Sequence, residues 1–353
     1  PGAAASGTLI ADARVLEIQD DAATTPVEGL TVDVFENFGT VSGDGNLTIL
    51  NTATLRNEFS GAGRTIIAAG AVATVDGFLR LEGDRILQND GTLGLLSEFA
   101  SIQLQDSAQL QIGSTGTLQL YGGQSVNTGT RFDANGDPII PNTRIVNDGR
   151  IEKLDTAERG STLGSLSAST LDLNGTIEVV AGTLNIDALN TGFVDEGGFF
   201  VTTAEGVATY GSASSLIGGD AGIQLSGGRH QFTAGATSTG ALQVSAQTFD
   251  GDLSIVGTST LSGVMAGTGQ TTIAQGADVT INGFLALESN QVLVNEGLLG
   301  LSSENASIQL RDSAQLQIGS GGTLQLDGSQ SVNTFTSFDA NGDPIAPNTR
   351  IVN

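Results

Sequence analysis

Shifted against itself by 206 residues, the chain aligns residues 77–147 with residues 283–353 without a gap, and 54 of those 71 positions are identical. A weaker match reaches back to about residues 45 and 251, where NLTILNTATL faces DLSIVGTSTL and GAGRTIIAAGA faces GTGQTTIAQGA. Repetition at this length points to stacked equivalent layers rather than to one closed core. Residues 1–147 therefore read as a partial repeat unit, with 45–147 matching 251–353, and 148–353 as one complete 206-residue unit. The closing motif TRIVN first occurs at 143–147, where it runs straight into DGRIEKL, so the chain reads as a stretch of a longer array.

Finer spacing names the layer. In SIQLQDSAQLQIGSTGTLQL the pairs Ile102/Leu104, Leu110/Ile112 and Leu118/Leu120 alternate with polar residues and recur every eight residues. Alternation is the period of a strand with one buried face. Eight residues make a short strand and a corner, and three such sides close one coil at roughly 20 to 25 residues. At about 4.8 Å per coil, some fifteen coils of uniform size would form a rod of about 70 Å. The fold predicted is all-β: a parallel β-helix, or β-solenoid, with projecting loops. Corners are expected at Asn37, Asn89, Asn147, Asn174 and Asn295, each followed within two residues by glycine, because both residue types tolerate left-handed backbone angles. Hairpin turns of a sandwich use the same residues, but a wide sandwich core calls for more Phe and Trp than a chain with no Trp supplies. Apolar positions persist between the copies, whereas Arg80, Asp84, Arg85 and Tyr121 become Ala286, Asn290, Gln291 and Asp327 and read as outward.

Charge and residue content narrow the function. With 13 basic and 38 acidic residues the formal charge is −25, which disfavours nucleic acid and anionic membranes as partners. The absence of Cys excludes a disulfide scaffold, a thiolate zinc site and cysteine catalysis. No apolar run is long enough for a transmembrane helix.

TIEVVAGTLNI at 176–186, GTGQTTIAQGADVTINGFLAL at 267–287 and the recurrent N-x-G-T turns resemble the degenerate repeats of large bacterial surface proteins, the filamentous-haemagglutinin-like and autotransporter-passenger β-solenoids. That resemblance implies a secreted, right-handed parallel β-helix on the bacterial cell surface, serving as an adhesin or structural stalk.

Chemistry-bearing motifs are few. The only lysine is Lys153 and no G-x-x-x-x-G-K loop occurs; the single histidine, His230, reads as a lone exposed side chain rather than as a general base. DANGDP places Asp133, Asn135 and Asp137 at alternate positions around Gly136 and recurs as Asp339, Asn341 and Asp343. Such hard oxygen ligands suit calcium; a loop whose side chains cap its own backbone is the competing reading. The charge-dense stretch 148–160 holds Glu152, Asp155 and Glu158 beside Arg150, Lys153 and Arg159. Paired carboxylates serve glycoside hydrolysis, while a solvated loop or short helix is the simpler account.

The expectation is a non-enzymatic extracellular rod or filament, extended head-to-tail by self-association or by continuation of the array, with a cell-surface or polysaccharide target. The alternative is a carbohydrate-binding or polysaccharide-cleaving β-helix of tailspike or lyase type, with Glu152, Asp155 and Arg159 as the residues to test.

Overall fold

The computed structural model describes residues 4–11, 15–18, 29–97, 99–129, 131–132, 138–139, 141–154, 163–181, 183–188, 191–194, 200–204, 207–211, 214–218, 222–335, 337–338, 344–345 and 348–353. The alternating segments form strands Ser101–Leu104, Gln109–Ile112 and Thr117–Tyr121, with their Ile and Leu side chains buried. Each pairs in parallel with the strands one turn away on either side. Ile102 lies between Leu79 and Val126, Leu110 between Leu87 and Ile145, and Leu118 between Leu93 and Ile151. Like residues thus stack in inward columns. Full burial of a Leu or Ile is worth about 1.5–3 kcal/mol, and each added turn brings its own set along with its own ladder of backbone hydrogen bonds.

Among the described residues, 29 strands join this one parallel sheet. It winds as a β-solenoid of about 12 turns, the all-β fold the spacing predicts, with no helix among the described residues. Turns are fewer than the fifteen expected of uniform coils because some contain inserted hairpins. Ile86 pairs with Gln109, but Gln109 pairs with Arg144, and the longer step carries the antiparallel pair Arg131–Phe132 and Pro138–Ile139. Between Thr170 and its partner Val207 lies a second such pair, Thr191–Val194 with Phe200–Ala204. The second copy reproduces the first register: Val292 pairs with Gln315, and Gln315 with Arg350 across the pair Ser337–Phe338 and Pro344–Ile345.

Asparagine corners work by a different mechanism from the one expected. Asn37, Asn89, Asn147 and Asn295 are buried, and none has a positive φ. Their amides instead donate to carbonyl oxygens of the next turn: Asn89 Nδ2 to Thr117 at 2.9 Å, Asn147 Nδ2 to Thr176 at 3.3 Å and Asn295 Nδ2 to Thr323 at 2.8 Å. A short amide can reach from inside the corner to the layer above, satisfying backbone acceptors that the strand ladder leaves out. Asn174 is the exception, lying exposed and donating to Asp148 Oδ1 at 3.0 Å. The accompanying glycines are required by proximity. A Cβ on Gly149 would run into the carbonyl oxygens of Gly113 and Gly116.

Two further features stand inside the coil. Most of the interior is Leu, Ile, Val and Ala, but Tyr210 stacks on Phe232 with centroids 4.3 Å apart, and Phe232 contacts Phe249 at 4.7 Å. Parallel register places Tyr210 opposite Phe232, and the strand spacing of about 4.8 Å is close to the separation stacked rings prefer. Arg85 and Gln291, read from sequence as outward, are both fully buried.

Candidate functional site

The structure separates the sequence-predicted residues. Asp133, Asn135, Asp137, Asp339, Asn341 and Asp343 lie outside the described residues, at the connections between the strands of the first and third inserted hairpins. Asp155, Glu158 and Arg159 are also outside them. Residues 150–154 form a strand within the stack rather than a solvated loop or helix, with Lys153 turned into the interior. Glu152, on the outer side, accepts from Arg150 Nε at 2.5 Å and from Gln119 Nε2 at 3.0 Å, and Arg150 also bridges to Glu178. Glu152 and Glu178 are register partners, so one guanidinium ties two stacked carboxylates together. Their lone pairs serve a structural ladder.

His230 is buried, not exposed. Its Nε2 proton is donated to the carbonyl of Ser226 at 2.9 Å, leaving Nδ1 to accept from the Tyr210 hydroxyl at 2.8 Å. Burial holds the imidazole pKa down at about 4, against a smaller opposing effect of the Ser226 carbonyl. A neutral histidine with both nitrogens engaged and no access to solvent has no acid–base chemistry to offer a ligand.

Arg85 is the second interior polar group. Nη1 donates to the carbonyls of Gly43 at 3.2 Å and Gly45 at 3.4 Å, and Nη2 to Thr65 Oγ1 at 2.9 Å. Desolvation lowers its pKa to about 10, partly offset by the charge of Asp44, so the guanidinium is still protonated at neutral pH. In the second copy Gln291 occupies this place and donates to Thr271 at 3.3 Å. The same hydroxyl column is thus served once by a cation and once by a neutral amide.

The outer surface carries an arrangement shaped for a ligand. Along one corner, successive turns are tied by Asn37 Oδ1 accepting from Arg56 N at 2.9 Å and by Ser97 Oγ accepting from Gly77 N at 3.2 Å. On this corner stand Phe38, Phe78 and Phe99, which are 48%, 42% and 81% exposed. The Arg56 guanidinium lies over the Phe38 ring, 5.1 Å from its centroid, and that of Arg80 over Phe78 at 5.5 Å. Each cation has its own carboxylate: Arg56 pairs with Asp76 at 2.5 Å and Arg80 with Glu58 at 3.6 Å. Phe38, Thr40, Asn57, Glu58, Phe78 and Arg80 line a groove of about 390 Å³. A second groove, of about 470 Å³, is lined by Ile217, Thr239, Thr258, Ser259 and Thr260 together with small residues, with no aromatic or charged side chain. Sequence reasoning missed the corner because its members on adjacent turns, such as Phe38 and Arg56 or Glu58 and Arg80, are 18 to 22 residues apart and become neighbours only when the coil closes. The signal available was its divergence: Arg56, Glu58, Asp76, Arg80 and Phe99 become Ser262, Val264, Asn282, Ala286 and Asn305.

No family model matches the chain. No curated protein matches it either. Among solved structures it is similar to the crystal structure of a TibC-catalysed, hyper-glycosylated TibA fragment spanning residues 55–350, at 13% identity and a TM-score of 0.23, with 94% of this chain and 100% of that fragment covered.

Proposed function

We propose that this chain is a non-enzymatic structural protein of the bacterial cell surface, an extracellular β-solenoid rod that sets distance and presents an outer face for adhesion. The observation that carries this reading is the register itself, in which the pairings of 86, 109 and 144 recur at 292, 315 and 350. A sequence that duplicates whole turns in register extends the rod without changing its cross-section, and stability accumulates by nearest-neighbour contacts. The outer carboxylates of Glu58 and Glu152 are engaged by arginines, an arrangement that favours a scaffold over general acid–base work.

Calcium at the DANGDP loops belongs to the same proposal: a calcium-dependent rise in melting temperature, lost on combining Asp133→Ala with Asp339→Ala, assigns the ion to those loops.

Electron microscopy of the purified chain over a concentration series, with and without calcium, tests the reading. Rods of about 60 Å, the length of about 12 turns at about 4.8 Å each, or fibres of the same width are expected. Compact particles with no long axis would refute it. Cleavage across a polysaccharide panel would replace it with the enzymatic alternative.

A further inference from the structure

We infer that the corner groove between Phe38 and Phe78 is a binding site for a neutral oligosaccharide lying along the rod axis. This rests on the rod reading only for its scaffold, and the two can fail separately, since particle shape tests one and ligand binding the other.

Three observations carry the inference. First, the rings of Phe38, Phe78 and Phe99 are exposed rather than packed in the core, Phe38 and Phe78 each with one face against an arginine. Large aromatics held out of the core while Tyr210, Phe232 and Phe249 are stacked inside it form the kind of outer apolar patch that marks a binding surface. Secondly, the groove is balanced in charge. Of its lining, Arg80 is paired with Glu58, and Arg56 beside it is paired with Asp76, so the groove offers an anion no net attraction, and the chain as a whole carries −25. What remains is a set of half-exposed carboxylate oxygens and guanidinium N–H groups beside aromatic faces, with Asn57 and Thr40 adding neutral donors and acceptors. A pyranose matches that mixture: its C–H face lies against a ring and its hydroxyls both donate to carboxylates and accept from guanidinium. The volume of about 390 Å³ is within the range of small-ligand clefts, and the corner repeats every turn, about 4.8 Å along the axis, so a linear saccharide can follow it.

Thirdly, the molecule contains its own control. Register partners Asn57–Leu79 and Phe78–Ser101 recur as Gly263–Leu285 and Phe284–Ser307, so the strand register at this corner is the same in the second copy. Only Phe78 survives there, as Phe284, while both arginines and both carboxylates are gone. The coil does not need these side chains, and their presence in one copy calls for an explanation other than folding.

The test is a glycan array of neutral hexose and N-acetylhexosamine oligosaccharides alongside sialylated, uronic-acid and sulfated ones, probed with the full 353-residue chain and followed by titration calorimetry on the strongest neutral binder. Binding to neutral glycans is expected, weakened at least tenfold by Phe78→Ala and by Arg80→Ala, and unchanged in Phe284→Ala. Arg80→Ala installs the residue that the second copy already has at this place, so its fold is safe, and far-UV circular dichroism checks Phe78→Ala. The inference is overturned by binding to no glycan, by binding to acidic glycans alone, or by neutral binding that both groove variants retain.

Discussion

The Tyr210 hydroxyl donates to Nδ1 of His230 at 2.8 Å, one turn apart and with both side chains fully buried. Burial holds the imidazole neutral, and in that state its Nδ1 is free to accept this bond.

That relationship makes stability depend on pH. His230 has a folded-state pKa of about 4 against an ordinary 6.5, so between these values the unfolded chain binds the proton and the folded chain does not. Its contribution is fully present above about pH 6.5 and is lost as pH falls towards 4, at most about 3 kcal/mol. Calorimetric melting at pH 7 and pH 4.5 should show a larger acid loss in the parent than in a Tyr210→Phe, His230→Leu double variant. Equal losses in the two would show that the imidazole is not the responsible group.

Arg85 and Gln291 make opposite demands on the same environment. Arg85→Gln should leave the melting temperature unchanged or raise it, because the amide can reach Thr65 as Gln291 reaches Thr271 without a buried charge. Arg85→Ala should cost about 3 kcal/mol through the void and the unpaired carbonyls of Gly43 and Gly45. Thermal denaturation of the two variants side by side gives the comparison, and the expected order is Gln well above Ala.

Asn89→Ala removes the amide that donates to the Thr117 carbonyl at 2.9 Å. A loss of about 1–2 kcal/mol is expected, and amide exchange should rise locally in the strands Thr92–Leu95 and Thr117–Tyr121. Asn89→Gly, which permits a left-handed backbone but lacks the amide, should be no better than Ala. A rescue by Gly would return the corner to the conformational role expected from sequence.

Glycines at the corners fall into two kinds that substitution separates. Gly77 has a φ of +85° with open space where a Cβ would stand, so Gly77→Asn should be tolerated and Gly77→Val should not. Gly149 faces the carbonyls of Gly113 and Gly116, and there Asn should be as damaging as Ala, costing about 1–3 kcal/mol. Melting temperatures of these variants decide between backbone conformation and close approach at each site.

Strand period, three-sided turns and the repeat were legible because they are local or translational: alternation marks Ile102/Leu104 as inward on any closed coil, and a shift of 206 residues needs no geometry to detect. Orientation of isolated polar residues was not legible. Arg85 varies between copies as surface residues do, yet it sits inside, because a narrow coil can bury a cation where free carbonyls of an adjacent corner happen to meet it. His230 and Lys153 were misread for the same reason, since nothing in GGRHQF or RIEKL says which side of the strand closes over them. The groove of Phe38, Phe78 and Arg80, with Arg56 over the Phe38 ring beside it, arises only through the number of residues per turn. That number varies along the chain with every inserted hairpin, and it is set by how each turn packs on the one before.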